Sequence, residues 1–184
     1  MRHSLGYNMF EEYLQDAHYF AVLASQTKNE KEAKRYYRVS IFCIMSAVEA
    51  FINLVADTFD QAGNIPPYEN AFLTDRKFEI IRGSFQIVDK PEYHRTEEKL
   101  RFLIFKFKPD FDFVREPCWC RLIEFKKFRD QITHPRHEDN DIDIDEYKKI
   151  TKWGLESAIE IMNNLCNGIF RKPLRRKLRE LKLE

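Results

Sequence analysis

A chain of 184 residues that is 43% hydrophobic and 33% charged is long and apolar enough to bury one full core, which excludes a disordered or membrane-embedded polypeptide. Glycine occurs only 5 times, so Gly-rich phosphate loops and turn-rich β architectures have little to build on. The formal net charge of +1 does not mark a nucleic-acid binder. It hides a strongly acidic stretch over 138–146 and a basic one after Arg171, where Lys172, Arg175, Arg176, Lys177, Arg179 and Lys182 face only Glu180 and Glu184.

In chain order, Phe10, Leu14, Ala17 and Ala21 recur at helical spacing and predict a helix over 7–25. A long helix is predicted over 30–60, charged at its start and apolar later, and stopped by Ala62-Gly63-Asn64 and Pro66-Pro67. Its apolar run over 39–56 is interrupted by Ser46, Glu49 and Asn53, so it reads as a buried helix and not a membrane span. A shorter helix is expected over 68–83, with Phe72, Phe78 and Ile81 inward. Residues 80–88 have some extended character, but Gly83 interrupts it. Leu100, Leu103, Ile104 and Phe107 form the stripe of a helix over 96–107, which Pro109 ends. Glu116-Pro117 opens the next helix, with proline at its permitted first position, and this helix runs to about 133. After the acidic loop, Asp143 or Asp145 caps a last long helix to about 170. The expectation is an all-α bundle over 1–170 with its longest helices antiparallel at the centre, followed by a basic tail over 171–184.

Of the four cysteines, Cys43 and Cys166 sit in apolar helical patterns, and Cys118 and Cys120 flank Trp119 too closely for an ordinary disulfide. A reduced chain is expected, and with it a cytoplasmic location. Residues 1–15 carry Glu11 and Glu12 and lack the apolar core of a signal peptide.

The segment Phe128-Arg129-Asp130-Gln131-Ile132-Thr133-His134-Pro135 carries the main chemical signal. On a continuous helix, five positions rotate by about 140°, so Arg129 and His134 would diverge. Pro135 forces the residue before it out of helical geometry, which lets His134 swing back toward the face of Arg129. Arginine clamps a phosphodiester through paired N–H groups. Histidine moves protons near neutral pH, to or from a ribose 2′-hydroxyl or a leaving oxygen. That scheme needs no metal and no cofactor.

This arrangement resembles the HEPN superfamily, whose members carry R-x(4–6)-H near the end of a late helix in a small α-bundle, usually with a polar residue after the arginine. Here Asp130 holds that place. The stretch Ser46-Ala47-Val48-Glu49-Ala50-Phe51-Ile52-Asn53 is similar to the long early helix of such domains, and the order of elements matches over about 7–170. The resemblance implies a homodimer in which the two motif helices meet and form a composite RNA-cleaving site. Many such proteins act in toxin–antitoxin, phage-defence or RNA-processing settings, some beside a nucleotidyltransferase-like antitoxin. Others are inactive and serve as binding modules, so the fold does not settle catalysis.

Other residues carry two readings each. Glu49 could orient Arg129, with Asn53 as a further polar contact, or both could lie on a narrow solvated face with Ser46 and Asp57. If Glu49 is buried, a cation must lie near it. Asp130 could orient Arg129 or His134, or be a surface carboxylate. Thr133 and Arg136 are candidate phosphate contacts by adjacency, and His137 is expected to point to solvent. The run Asp139, Asp141, Asp143, Asp145 has Ile144 and Ile150 where a calcium loop needs Gly and Glu. Cys118 and Cys120 with His134 and His137 do not have zinc-site spacing. The reading is a metal-independent endoribonuclease acting on RNA as a homodimer, or alternatively an inactive dimeric interaction or RNA-binding module.

Overall fold

The computed structural model describes residues 8–63, 65–135 and 142–184. Asn29 starts the long second helix by accepting a hydrogen bond from the Glu32 N–H at 3.2 Å, and Gly63 ends it at φ 61°, a left-handed conformation that glycine adopts without strain. That helix, α2 (Glu30–Ala62), lies antiparallel to α1 (Met9–Gln26). The buried Ser40 hydroxyl donates to the Ala17 carbonyl at 2.7 Å, and Phe10 meets Phe51 edge-on at 5.4 Å. By length and composition α2 could cross a bilayer. Its apolar side chains instead form the core, with Ile41, Ile44, Phe51, Ile52 and Val55 almost fully buried.

Between α2 and the second half of the molecule lie α3 (Pro67–Leu73) and an antiparallel hairpin of β1 (Arg76–Ile81) and β2 (Ser84–Pro91). The chain is mainly helical, as expected, with this one small sheet added; the hairpin corrects the helix expected over 68–83, of which only α3 forms. The helix stops because Asp75 takes φ 57° just after its cap, and Asp75 then anchors the hairpin by accepting from the His94 N–H at 2.9 Å. Gly83 makes the hairpin instead of interrupting it. Arg82 and Gly83 have φ of 52° and 81°, the paired left-handed residues of a two-residue hairpin turn, and Ile81 registers with Ser84 across it.

The remaining helices are α4 (Thr96–Phe107), α5 (Pro117–Thr133), α6 (Ile144–Phe170) and the short α7 (Arg176–Arg179). Pro117 stands at the first turn of α5, and Asp143 caps α6 by accepting from the Asp145 N–H at 3.4 Å. The helices α5 and α6 run antiparallel, with Phe128 edge-on to Tyr147 at 5.2 Å. Gly154 allows them to approach. A Cβ there would lie 2.2 Å from Cδ2 of Phe125, a ring that is fully buried.

The two longest helices, α2 and α6, run in the same direction, contrary to the antiparallel centre expected. At their starts, burial and the charge of Asp145 push the Tyr37 phenol up. At their far ends, Phe59 of α2 stacks on Phe107 at 5.2 Å, and Phe107 in turn lies against Gly168 of α6. Antiparallel packing falls instead on the pairs α1–α2 and α5–α6. Three helices and a hairpin separate α2 from α6, so no short loop fixes their relative direction.

Residues 171–184 turn back onto the bundle. Leu174 and Leu178 are buried, and Arg175 and Lys177 approach Oε2 of Glu11 at 3.0 and 3.6 Å. Glu11 is only 5% exposed, so these two cations offset the cost of burying its charge.

Gly154→Ala tests the helix contact. Helix propensity alone favours alanine by about 1 kcal/mol. The clash with Phe125 should reverse that sign and cost about 1–3 kcal/mol. Denaturant unfolding measures it, and a stabilised variant would show that the two helices can separate without penalty.

Candidate functional site

The C-terminal turn of α5 carries the sequence-predicted residues. Pro135 ends the helix as expected: Thr133 is the last helical residue, and His134 is the cap at φ −125° and ψ 61°. The His134 N–H still donates to the Asp130 carbonyl at 2.9 Å, while its side chain is exposed. The imidazole is therefore fixed at its backbone and open to solvent at its ring.

Arg129 lies on the last full turn before that cap. One guanidinium nitrogen, Nη1, pairs with Oδ1 of Asp130 at 3.1 Å, and Oδ2 of Asp130 accepts from Lys126 Nζ at 3.0 Å. Asp130 thus holds two cations, one through each oxygen. The Arg129 side chain is 23% exposed, but its Nε is shut off from water and has no hydrogen-bond partner among the described residues. A buried donor left unpaired is costly. Thr133 is exposed, and its hydroxyl donates back along the helix to the Arg129 carbonyl at 2.7 Å. That bond commits the hydroxyl proton, which a phosphate contact would need. Arg136 and His137, with the acidic residues 138–141, lie outside the described residues.

Glu49 and Asn53 are placed elsewhere. Both are exposed on α2, and Oε1 of Glu49 accepts from the Thr96 hydroxyl at 3.2 Å. With Ser46 and Asp57 they line a groove of about 480 Å³ against the start of α1. On its other side the same pair borders a cleft of about 210 Å³ with Asp75, His94, Thr96 and Lys99. Asp130 is the one described carboxylate within 4 Å of the Arg129 guanidinium. The carboxylate that orients Arg129 within the chain is therefore Asp130 and not Glu49. Sequence spacing missed Lys126, although its i, i+4 relation to Asp130 is an ordinary helical ion-pair signal.

The cysteines divide by exposure. Burial, with lesser help from Glu160 and Glu116, pushes the Cys118 thiol up to about 12. Cys120, two residues on, is exposed.

Comparison with known proteins adds no relative: the chain matches no family model, no curated protein and no solved structure.

The thiols make a pH prediction. An unfolded cysteine ionises near pH 8.5, whereas Cys118 and Cys166 hold their protons to about 12 and about 11 in the fold. Above about pH 8.5 the unfolded chain binds fewer protons than the native one, so stability should fall as pH rises from there toward 11. Urea unfolding across that range measures the slope. Replacing both residues with alanine should reduce it, leaving the smaller share of the Cys43 thiol and the Tyr37 phenol, which burial also pushes up; an unchanged slope would disprove the assignment.

Proposed function

We propose that this chain is a cytoplasmic, metal-independent endoribonuclease of HEPN type that acts as a homodimer, in a toxin–antitoxin or phage-defence setting. The observation that carries the reading is the end of α5, where Arg129, its Nε without a partner among the described residues, and the exposed His134 stand five residues apart on a helix that Pro135 stops. Arg129 clamps the scissile phosphate and stabilises its developing charge, with Asp130 orienting the guanidinium. His134 removes the 2′-hydroxyl proton, the 2′-oxygen attacks phosphorus, and the bond from phosphorus to the 5′-oxygen breaks. The leaving 5′-oxygen takes a proton from a second acid, and the products are a 2′,3′-cyclic phosphate and a 5′-hydroxyl. One histidine cannot be base and acid at once, so the reaction calls for His134 from each of two chains meeting at their α5 ends. A nucleotidyltransferase-like antitoxin that covers this end would silence it.

One observation favours a second reading, an inactive dimeric interaction or RNA-binding module. Asp130 already occupies one edge of the Arg129 guanidinium and also holds Lys126.

RNA cleavage in EDTA separates the two. His134→Ala should lower the rate by about 100-fold or more, as expected for loss of a general acid–base. Arg129→Lys should also lose most activity, because an ammonium cannot replace the planar fork. Equal activity of wild type and His134→Ala would refute the nuclease. Absence of cleavage by wild type, with RNA still bound, would establish the module.

A further inference from the structure

On the far side of α6 from α5 lies a cleft of about 390 Å³, walled by α1 from Ala21 to Gln26, by Tyr37 of α2, by α6, and by residues 182–184. Three lysines from two separate parts of the chain border it: Lys148 and Lys152, one turn apart on α6, and Lys182 beyond α7. None of the three forms an ion pair with any described residue. Glu184 lines the cleft too, and Asp145 lies near Tyr37, but neither comes within ion-pair distance of these lysines. Ser25 and Gln26 add neutral hydrogen-bonding groups to the rim.

Like charges gathered in one cavity repel each other, and that cost is recovered when an anion binds between them. Lysine recognises phosphate as a compact charge, without the geometry that arginine demands. The cleft also opens at the same end of the bundle as the α5 site. Lys148 directly follows Tyr147, whose ring packs on Phe128 one residue before Arg129. Two more cations stand over Trp153 of α6, Lys149 of the same helix at 4.2 Å and Arg121 of α5 at 5.6 Å from its ring.

We infer that Lys148, Lys152 and Lys182 form a backbone-binding cleft for single-stranded RNA, distinct from the α5 site and holding the strand away from the scissile bond. This rests on RNA being the ligand of the protein, as proposed above. The cleft contributes affinity without base specificity, because its contacts are to phosphate.

The test uses a short fluorescent single-stranded RNA, binding followed by anisotropy over a salt series, and the His134→Ala protein so that the RNA stays intact. Lys148→Gln with Lys152→Gln should flatten the plot of log affinity against log salt by about 1.4, near 0.7 per lost phosphate contact. Lys77→Gln with Lys90→Gln, the same charge loss on the exposed hairpin, should leave the slope unchanged. Equal slopes for all three proteins, equal flattening by both pairs, or no RNA binding by the parent would overturn the cleft. Flattening by the α6 pair alone, in a protein whose His134 form does not cleave, would support the cleft and refute the nuclease. Cleavage by that form, with no flattening, would refute the cleft and leave the nuclease standing.

Discussion

The contact of Phe125 with Gly154 sets the register between α5 and α6, and the candidate chemistry depends on that register. A side chain at 154 would overlap the ring, so only glycine lets the helices close to this spacing. The same spacing sets Phe128 on Tyr147. The last turn of α5 is thereby held beside the first turns of α6. Arg129 and His134 end up near a helix start that carries Lys148, Lys149 and Lys152.

Pro135 matters in a different way. It adds no functional group, but it decides where the helix stops and so turns a residue that would project round the cylinder into one that caps it. The amide of His134 keeps the last helical hydrogen bond while the ring is released. Asp130 contributes twice at this end, through its carbonyl to the cap and through its carboxylate to Arg129 and Lys126. A change at Asp130 would therefore disturb the backbone geometry and the charge balance together.

Much of this was legible in the sequence, for local reasons. Helical spacing, Pro117, Gly63 and Asp143 each act within a turn or two of themselves, so the boundaries of α2, α5 and α6 fall close to where those residues put them. The hairpin was not legible in the same way. Phe78 and Ile81 fit a helical stripe as well as a strand, and only the left-handed pair Arg82–Gly83 separates the two. Pairing between distant elements was the least legible. Glu49 has the right chemistry to orient an arginine, but the packing of α4 on α2 puts Thr96 beside it instead. Direction comes from the packing of the whole bundle, which no short pattern contains.

The strap formed by the last residues ties Glu11 to Arg175 across 164 positions of chain. During synthesis on a ribosome, α1 and α2 can pair as soon as both have emerged, since their contacts are local. Glu11 then waits, already drawn among apolar side chains, for cations that are made 164 and more positions later. Until Arg175 and Lys177 emerge, that carboxylate is either uncompensated or kept out of the core. The bundle therefore holds a built-in delay, and a nascent chain halted before the strap should stay looser at the end of the molecule where α1 begins.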